Sequence, residues 1–217
     1  MEKTMKDLVV HYGTGNPAKL ASMKKALLPI GIQVVGVHET GRAMLDVDEN
    51  GSTPLENARI KALAYYSVLG NPVFACDSGL YIEELSEEEQ PGIHVRTVND
   101  KRLNDDMMII HYAAIAKRLG GKAKARYKNG ICLVLGEGEV YEHFDEDIFG
   151  ESFYIVSTPH PKRVEGFPLD CLSVHIPSGK YYYDGVRPDG DIGIIDIGFQ
   201  NFFLRALGKA KNVSLRP

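Results

Sequence analysis

The sequence predicts an α/β or α+β protein organised around a mixed sheet flanked by helices. Two observations carry that expectation. Short apolar runs alternate with capped amphipathic helices in the N-terminal half, and strand patterns follow one another in the C-terminal half. The chain of 217 residues is 44% hydrophobic and 25% charged, as a folded domain requires. No internal repeat or low-complexity linker divides it, so residues 1–217 are expected to form a single domain of two lobes sharing one core.

Leu8-Val9-Val10-His11-Tyr12 reads as a buried strand ending at Gly13. Asn16 and Pro17 then supply a helix cap and first helical residue, followed by Leu20, Met23, Ala26 and Leu27 at helical spacing. Ile32 to Val37 is a second strand. Thr53-Pro54-Leu55-Glu56 forms a capping box and opens a helix through Ile60, Leu63 and Ala64 to about Leu69, closed by Gly70. Pro72 to Cys76 is a buried strand that should end at the turn-like Asp77-Ser78-Gly79. A third helix from Asn104 to Leu119 has acids in its first turn, bases in its last and Gly120 behind it. Strands are expected at 124–135, 139–144, 152–157, 170–176, 180–184 and 191–197, and a last helix at 200–210.

Charge and composition exclude several classes. Twenty-five Lys and Arg against 29 Asp and Glu leave a net charge of −4, against a nucleic-acid partner. No apolar run approaches the roughly 18 residues of a membrane span, so no membrane partner is expected. The charged start, Met1 to Asp7, does not read as a signal peptide. Cys76, Cys132 and Cys171 offer neither a disulfide framework nor a zinc spacing, and read as residues of strand cores. A cytoplasmic protein is expected. Lys117, Arg118, Lys122, Lys124, Arg126 and Lys128 form a basic stretch that either attracts phosphates or is a solvated helix end and hairpin, the simpler reading. The acidic stretches at 83–89 and 137–151 read as solvated faces.

Three segments can carry chemistry. Gly13-Thr14-Gly15-Asn16-Pro17-Ala18-Lys19 joins a strand to a helix N-terminus, where backbone amides and Lys19 suit a phosphate. It lacks the ending of a Walker A loop and the third glycine of a dinucleotide fingerprint, so a tight capped turn with a solvated lysine is the competing reading. Asp46, Asp48, Glu49 and Glu56 are oxygen ligands of the kind hard cations take, with Glu56 better explained as a cap and Asp46 and Asp48 as loop acids. Cys76-Asp77-Ser78-Gly79-Leu80 lies at a strand end, where α/β sheets place catalytic groups. There Asp77 can hold a cation or orient water, and Ser78 and Gly79 can donate to phosphate oxygens. No histidine pair has a metal spacing and no nucleophile elbow exists. His111 reads as a core or boundary residue, and Lys61 as either solvated or facing the site.

In this order the segments resemble the inosine triphosphate pyrophosphatase family, the Ham1-like nucleotide pyrophosphatases. The family's Thr-Gly-Asn-x-x-Lys is present as Thr14, Gly15, Asn16 and Lys19, and its next motif as Glu49, Gly51, Thr53, Glu56, Asn57, Ala58, Lys61 and Ala62. Asp77-Ser78-Gly79-Leu80 and Pro91-Gly92-Ile93 with Arg96 continue the match. The resemblance implies an elongated two-lobed fold with the active site in the cleft between lobes, usually as a homodimer. It implies Mg²⁺-dependent cleavage, with Mn²⁺ as a substitute, of a nucleoside triphosphate to monophosphate and pyrophosphate, with preference for deaminated purines such as ITP, XTP and dITP. By the same resemblance Asp77 and Lys19 are the catalytic groups, and Glu49 and Asp77 hold the metal. Thr14, Gly15, Asn16, Lys19, Lys61, Ser78, Gly79, Arg96, Phe167, Asp170 and Lys180 contact substrate.

The chain departs from the family where the base is read. Cys76 replaces the first acid of a pair. Gly166-Phe167-Pro168-Leu169-Asp170 retains only a stacking Phe167 and Asp170 of a longer motif, Pro177-Ser178-Gly179-Lys180 roughly matches a lysine-bearing loop, and Gly198-Phe199-Gln200 stands where a Ser-His-Arg is expected. An altered base preference follows. Two other readings stay open: a nucleotide-binding protein on the same fold that has lost catalysis, and a hydrolase of a modified pyrimidine nucleotide.

Overall fold

The computed structural model describes residues 8–165, 167–185 and 193–214, with side chains as far as residue 208. The chain divides into two compact units. The first holds the described residues up to Ser78, then Asn129–Phe149 and the residues from Gly193 onward, and the second holds Gly79–Lys128 and the described residues from Gly150 to Gly185. The class is as expected, a mixed α/β fold.

In the first unit β1 (Leu8–Tyr12), α1 (Pro17–Leu27) and β2 (Ile32–Gly36) form a strand–helix–strand unit, with β1 and β2 parallel from Leu8↔Ile32 to Tyr12↔Gly36. Asn16 caps α1 by accepting from the amides of Ala18 and Lys19, at 2.9 and 3.2 Å. Helix α2 (Pro54–Leu69) is capped by Thr53, whose hydroxyl accepts from the Glu56 amide, and it ends at Gly70 with φ +64°. The Glu56 carboxylate turns to the Ser52 amide and hydroxyl, at 2.6 and 2.7 Å, and these bonds lower its pKa. Glu56 is therefore a cap, as its position suggested.

Strand β3 (Val73–Ile82) pairs in parallel with β1 and does not stop at Asp77-Ser78-Gly79. The apolar alternation resumes at Leu80 and Ile82, both fully buried, and the Gln90 side chain holds the amide and carbonyl of Ile82 at 2.8 and 2.7 Å. Asp77 and Ser78 are thus fixed in extended backbone and not in a turn.

The second unit continues with β4 (Thr97–Val98), β5 (Lys101–Arg102) and α3 (Asp105–Arg118), the last capped by Asn104. The long β6 (Lys122–Gly136) pairs with β7 (Glu139–His143) in the first unit. In the second it pairs with β8 (Phe153–Val156), which in turn pairs with β9 (Ser173–His175), all antiparallel. The basic stretch is absorbed here: Arg118 pairs with Glu89 and Lys124 with Glu83, both at 2.7 Å. The Arg126 Nε donates to the Gly150 carbonyl, and Lys122 and Lys128 lie over the rings of Tyr154 and Tyr81.

Three expected strands change character. Within 170–176 only Ser173–His175 is strand, because Pro168–Leu172 coils into a 3₁₀ turn closed by the Ser173 hydroxyl on the Leu169 carbonyl at 2.8 Å. Cys171 is buried in that turn and not in a strand. Residues 180–184 contribute one bridge, Val174↔Tyr181, before a 3₁₀ turn at Tyr182–Asp184. Of 191–197, residues 191 and 192 lie outside the described residues and the helix α4 (Ile194–Ser214) begins immediately after. Asp196 accepts from the Gly193 amide at 2.9 Å, and Phe199, Phe202, Phe203, Ala206 and Leu207 fall at helical spacing. That spacing overrides the β-branched Ile194, Ile195 and Ile197, and the last helix starts six residues earlier than expected.

The first unit packs in layers. Val10, Tyr12, Phe74, Cys76, Ile131 and Leu133 of the strands meet α1 and α4 on one face, with Tyr12 stacked on Phe74 at 4.3 Å. Val73, Ala75, Cys132 and Val134 meet Ala58, Ala62 and Tyr65 of α2 on the other. The second unit buries Leu80, Ile82, Met108, Tyr112, Ala123, Phe153 and Ile155 together.

Candidate active site

Alternation along β3 decides what Asp77 can touch. Val73 and Ala75 face α2, so Asp77 does too, whereas Phe74 and Cys76 face α1 and α4. On α2, Asn57 and Lys61 stand one turn apart on the facing side. The Lys61 Nζ lies 2.8 Å from Glu49 Oε2 and 3.6 Å from Asp77 Oδ1, with the Lys61 and Asp77 side chains only 15% and 16% exposed. Two carboxylates from separate segments therefore converge on one ammonium. Asp46 and Asp48 are exposed and take no part, as expected of loop acids.

The loop after β1 is anchored by Gly13, whose amide donates to the Phe74 carbonyl at 2.9 Å and where a Cβ would meet the Tyr65 ring at 2.5 Å. Thr14 is buried and its hydroxyl accepts from the Asn16 amide at 3.2 Å. The Asn16 Oδ1 is committed to capping α1, so this asparagine shapes the loop first. Gly15 is exposed, and a Cβ there would meet only the Met44 methyl, at 3.8 Å. Lys19, in the first turn of α1, has no carboxylate within ion-pair distance among the described residues. It reaches electrostatically to the Cys76 thiol.

Ser78 is held by polarity. The Asn129 Nδ2 donates to the Ile148 carbonyl at 2.7 Å, so its Oδ1 must face Ser78, whose hydroxyl donates to it at 2.7 Å. The single Ser78 proton is spent, and its Oγ presents lone pairs.

Burial pushes the Cys76 thiol up to about 11, against the smaller opposing effect of Lys19. It is a neutral core side chain on the face opposite Asp77.

Gly79, Arg96, Phe167, Asp170 and Lys180 belong to the second unit. A Cβ on Gly79 would stand 3.0 Å from the Gly92 carbonyl, which receives the Leu80 amide. Arg96 pairs with Asp105 at 2.7 Å. The pKa of the half-buried Tyr127 is raised chiefly by burial, with Asp170 adding to the rise and Arg96 opposing it. Phe167 is half-buried beside the Pro168–Leu172 turn, and Gly166 lies outside the described residues. Lys180 is exposed in the loop after β9, where its carbonyl accepts from the His175 amide at 2.9 Å. At Gly198 a Cβ would collide with the Asp147 carbonyl, Phe199 is buried, and Gln200 donates to the Ala26 carbonyl at 2.7 Å. These three residues pack the first unit.

Residue-by-residue reading missed Asn57 and Asn129 as site-shaping groups. The available signal was a polar side chain on the alanine-lined face of α2, and an Asn-Gly pair inside a long strand pattern.

A family model described as the Ham1 family matches residues 10–176. A dITP/XTP pyrophosphatase of Brucella melitensis biotype 1 is 32% identical over 171 residues, 76% of this chain and 72% of its own. A dITP/XTP pyrophosphatase of Thermus thermophilus is 27% identical over 180 residues, 82% and 81% of the two chains. Among solved structures the Ham1 protein of Staphylococcus aureus superposes with a TM-score of 0.65 at 23% identity, covering 92% of this chain and 99% of that one. The nucleoside-triphosphatase / dITP/XTP pyrophosphatase of Mycobacterium abscessus does so at 0.61 and 20% identity, covering 97% and 100%. With a family model that spans most of the chain, a relative of 32% identity and the fold in agreement, the chain belongs to the Ham1 family.

Proposed function

We propose that this protein is a nucleotide pyrophosphatase that hydrolyses a nucleoside triphosphate to the monophosphate and pyrophosphate. The observation that carries the reading is the convergence of Glu49 and Asp77 on Lys61, in a chain that also carries the Thr14–Lys19 loop. The enzyme class rests on the family and on relatives named dITP/XTP pyrophosphatases.

The reaction adds water to the α-phosphorus, breaks the bond to the bridging oxygen and releases pyrophosphate. Such chemistry asks a protein for charge neutralisation and in-line positioning. Lys19 and the exposed Gly15 face the triphosphate, Lys61 shifts its ammonium from the carboxylates to phosphate oxygens, and Asp77 orients the attacking water and receives its proton. Ser78 offers lone pairs to that water. The donor set fits a hard divalent cation, Mg²⁺ or Mn²⁺, which takes one or two carboxylates and completes its shell with water and phosphate. Glu49 and Asp77 are the residues that would hold it, and when bound it neutralises phosphate charge. Gly79, Arg96, Phe167, Asp170 and Lys180 remain candidate substrate contacts on the strength of the family resemblance alone, and the protein acts as a homodimer in solution.

Deaminated purine triphosphates are the proposed substrates, with a base preference altered from that of relatives because Phe199 and Gln200 are packing residues. Pyrophosphate release from a panel of standard, deaminated and modified triphosphates tests this. Preference for ITP, XTP or dITP supports it, and turnover confined to a modified pyrimidine nucleotide overturns the substrate assignment.

A further inference from the structure

Asn57 is 3% exposed, midway between the loop that carries Glu49 and the strand that carries Asp77. Its Oδ1 accepts from the Gly51 amide at 2.9 Å, which fixes the orientation of the amide and turns Nδ2 toward Asp77 Oδ2, 3.5 Å away. Gly51 is pressed onto the same turn: a Cβ there would stand 2.6 Å from Glu56 Cβ and 2.7 Å from Asn57 Oδ1. One turn along α2, Lys61 spans the same two segments through Glu49 and Asp77.

The two bridges differ in kind. Lys61 is a cation on a flexible stem, and an arriving triphosphate competes for it. Asn57 is neutral and buried, and no substrate group draws it away. We propose that Asn57 is a positioning residue that keeps the Glu49 loop and Asp77 in register when Lys61 turns to the substrate. It would touch neither phosphate nor base and act through Gly51 and Asp77. This deepens the pyrophosphatase reading and rests on it.

Two variants separate the two arms of Asn57. Asn57→Asp keeps an acceptor for the Gly51 amide and, assayed at a pH where its carboxyl is ionised, replaces the donor facing Asp77 by a like charge, whereas Asn57→Leu removes both arms. Amide hydrogen exchange at Gly51, measured without metal or nucleotide, should accelerate roughly tenfold or more in Asn57→Leu and stay within about threefold in Asn57→Asp. In steady-state assays Asn57→Asp should lose about tenfold or more in kcat with KM within about twofold, the signature of a group that orients and does not bind. A folded Asn57→Leu with unchanged Gly51 exchange overturns the proposal, as does Asn57→Asp with parental kcat. If Asn57→Leu fails to fold, the kcat of Asn57→Asp decides. If the parent protein releases no pyrophosphate, the activity reading falls and Gly51 exchange in the two variants still judges the anchoring.

Discussion

Lys61 holds Glu49 at 2.8 Å and keeps a second carboxylate, Asp77, at 3.6 Å. A cation shared by two acids from different segments holds them close, and its removal leaves two carboxylates facing one another. Lys61→Met should lower kcat/KM by about 100-fold or more, the scale seen when one group that stabilises transition-state charge is lost. Steady-state kinetics check this, with circular dichroism to confirm the fold.

The Ser78–Asn129 bond gives a stability prediction. Ser78→Ala leaves the Asn129 Oδ1 without its donor while Nδ2 stays on the Ile148 carbonyl. The expected cost is about 1 kcal/mol. Denaturant unfolding measures it, and in Ser78→Ala/Asn129→Ala the extra effect of the serine change should vanish.

Stability should fall at alkaline pH. Burial pushes Cys76 up to about 11 and Cys132 up to about 12, from an ordinary 9.0. Above that ordinary value the unfolded chain loses thiol protons that the folded chain keeps, so unfolding becomes easier as pH rises toward the folded values. At about pH 10 each thiol should have forfeited about 1.4 kcal/mol. Urea midpoints at about pH 8 and pH 10 test this, and Cys76→Ala should narrow the difference while leaving the Cys132 share.

Two glycines should respond unequally to alanine. At Gly130 a Cβ would run into the backbone of Pro54 and Leu55, whereas at Gly13 it meets the Tyr65 ring. Overpacking of this kind costs about 1–3 kcal/mol. Gly130→Ala should lie at or above the top of that range and Gly13→Ala below it, because a ring can shift and the first turn of a helix cannot. Thermal melting of both variants gives the order.

Local chemistry explains which parts of the fold were legible. Asn16 with Pro17, Thr53 with Pro54, and Gly70 carry their roles in their own side chains or backbone freedom, and the first two helices fall where these residues place them. The continuation of β3 past Asp77 depends on Gln90, eight residues beyond Ile82, which no local pattern reveals. Ile194, Ile195 and Ile197 have strand propensity, yet the buried Phe199, Phe202 and Phe203 behind them draw the segment into α4. The site divides in the same way. Glu49, Lys61 and Asp77 were each recognisable as residue types, but only the facing of α2 and β3 shows that they meet. The parts of Asn57 and Asn129 depend on which end of an amide a distant backbone group selects.

The most direct test of the account is pyrophosphate and nucleoside monophosphate release from dITP or XTP with Mg²⁺, comparing the parent protein with a folded Asp77→Asn. The account predicts equal amounts of the two products from the parent and a loss of about 100-fold or more in Asp77→Asn. Turnover that survives intact in Asp77→Asn would contradict it.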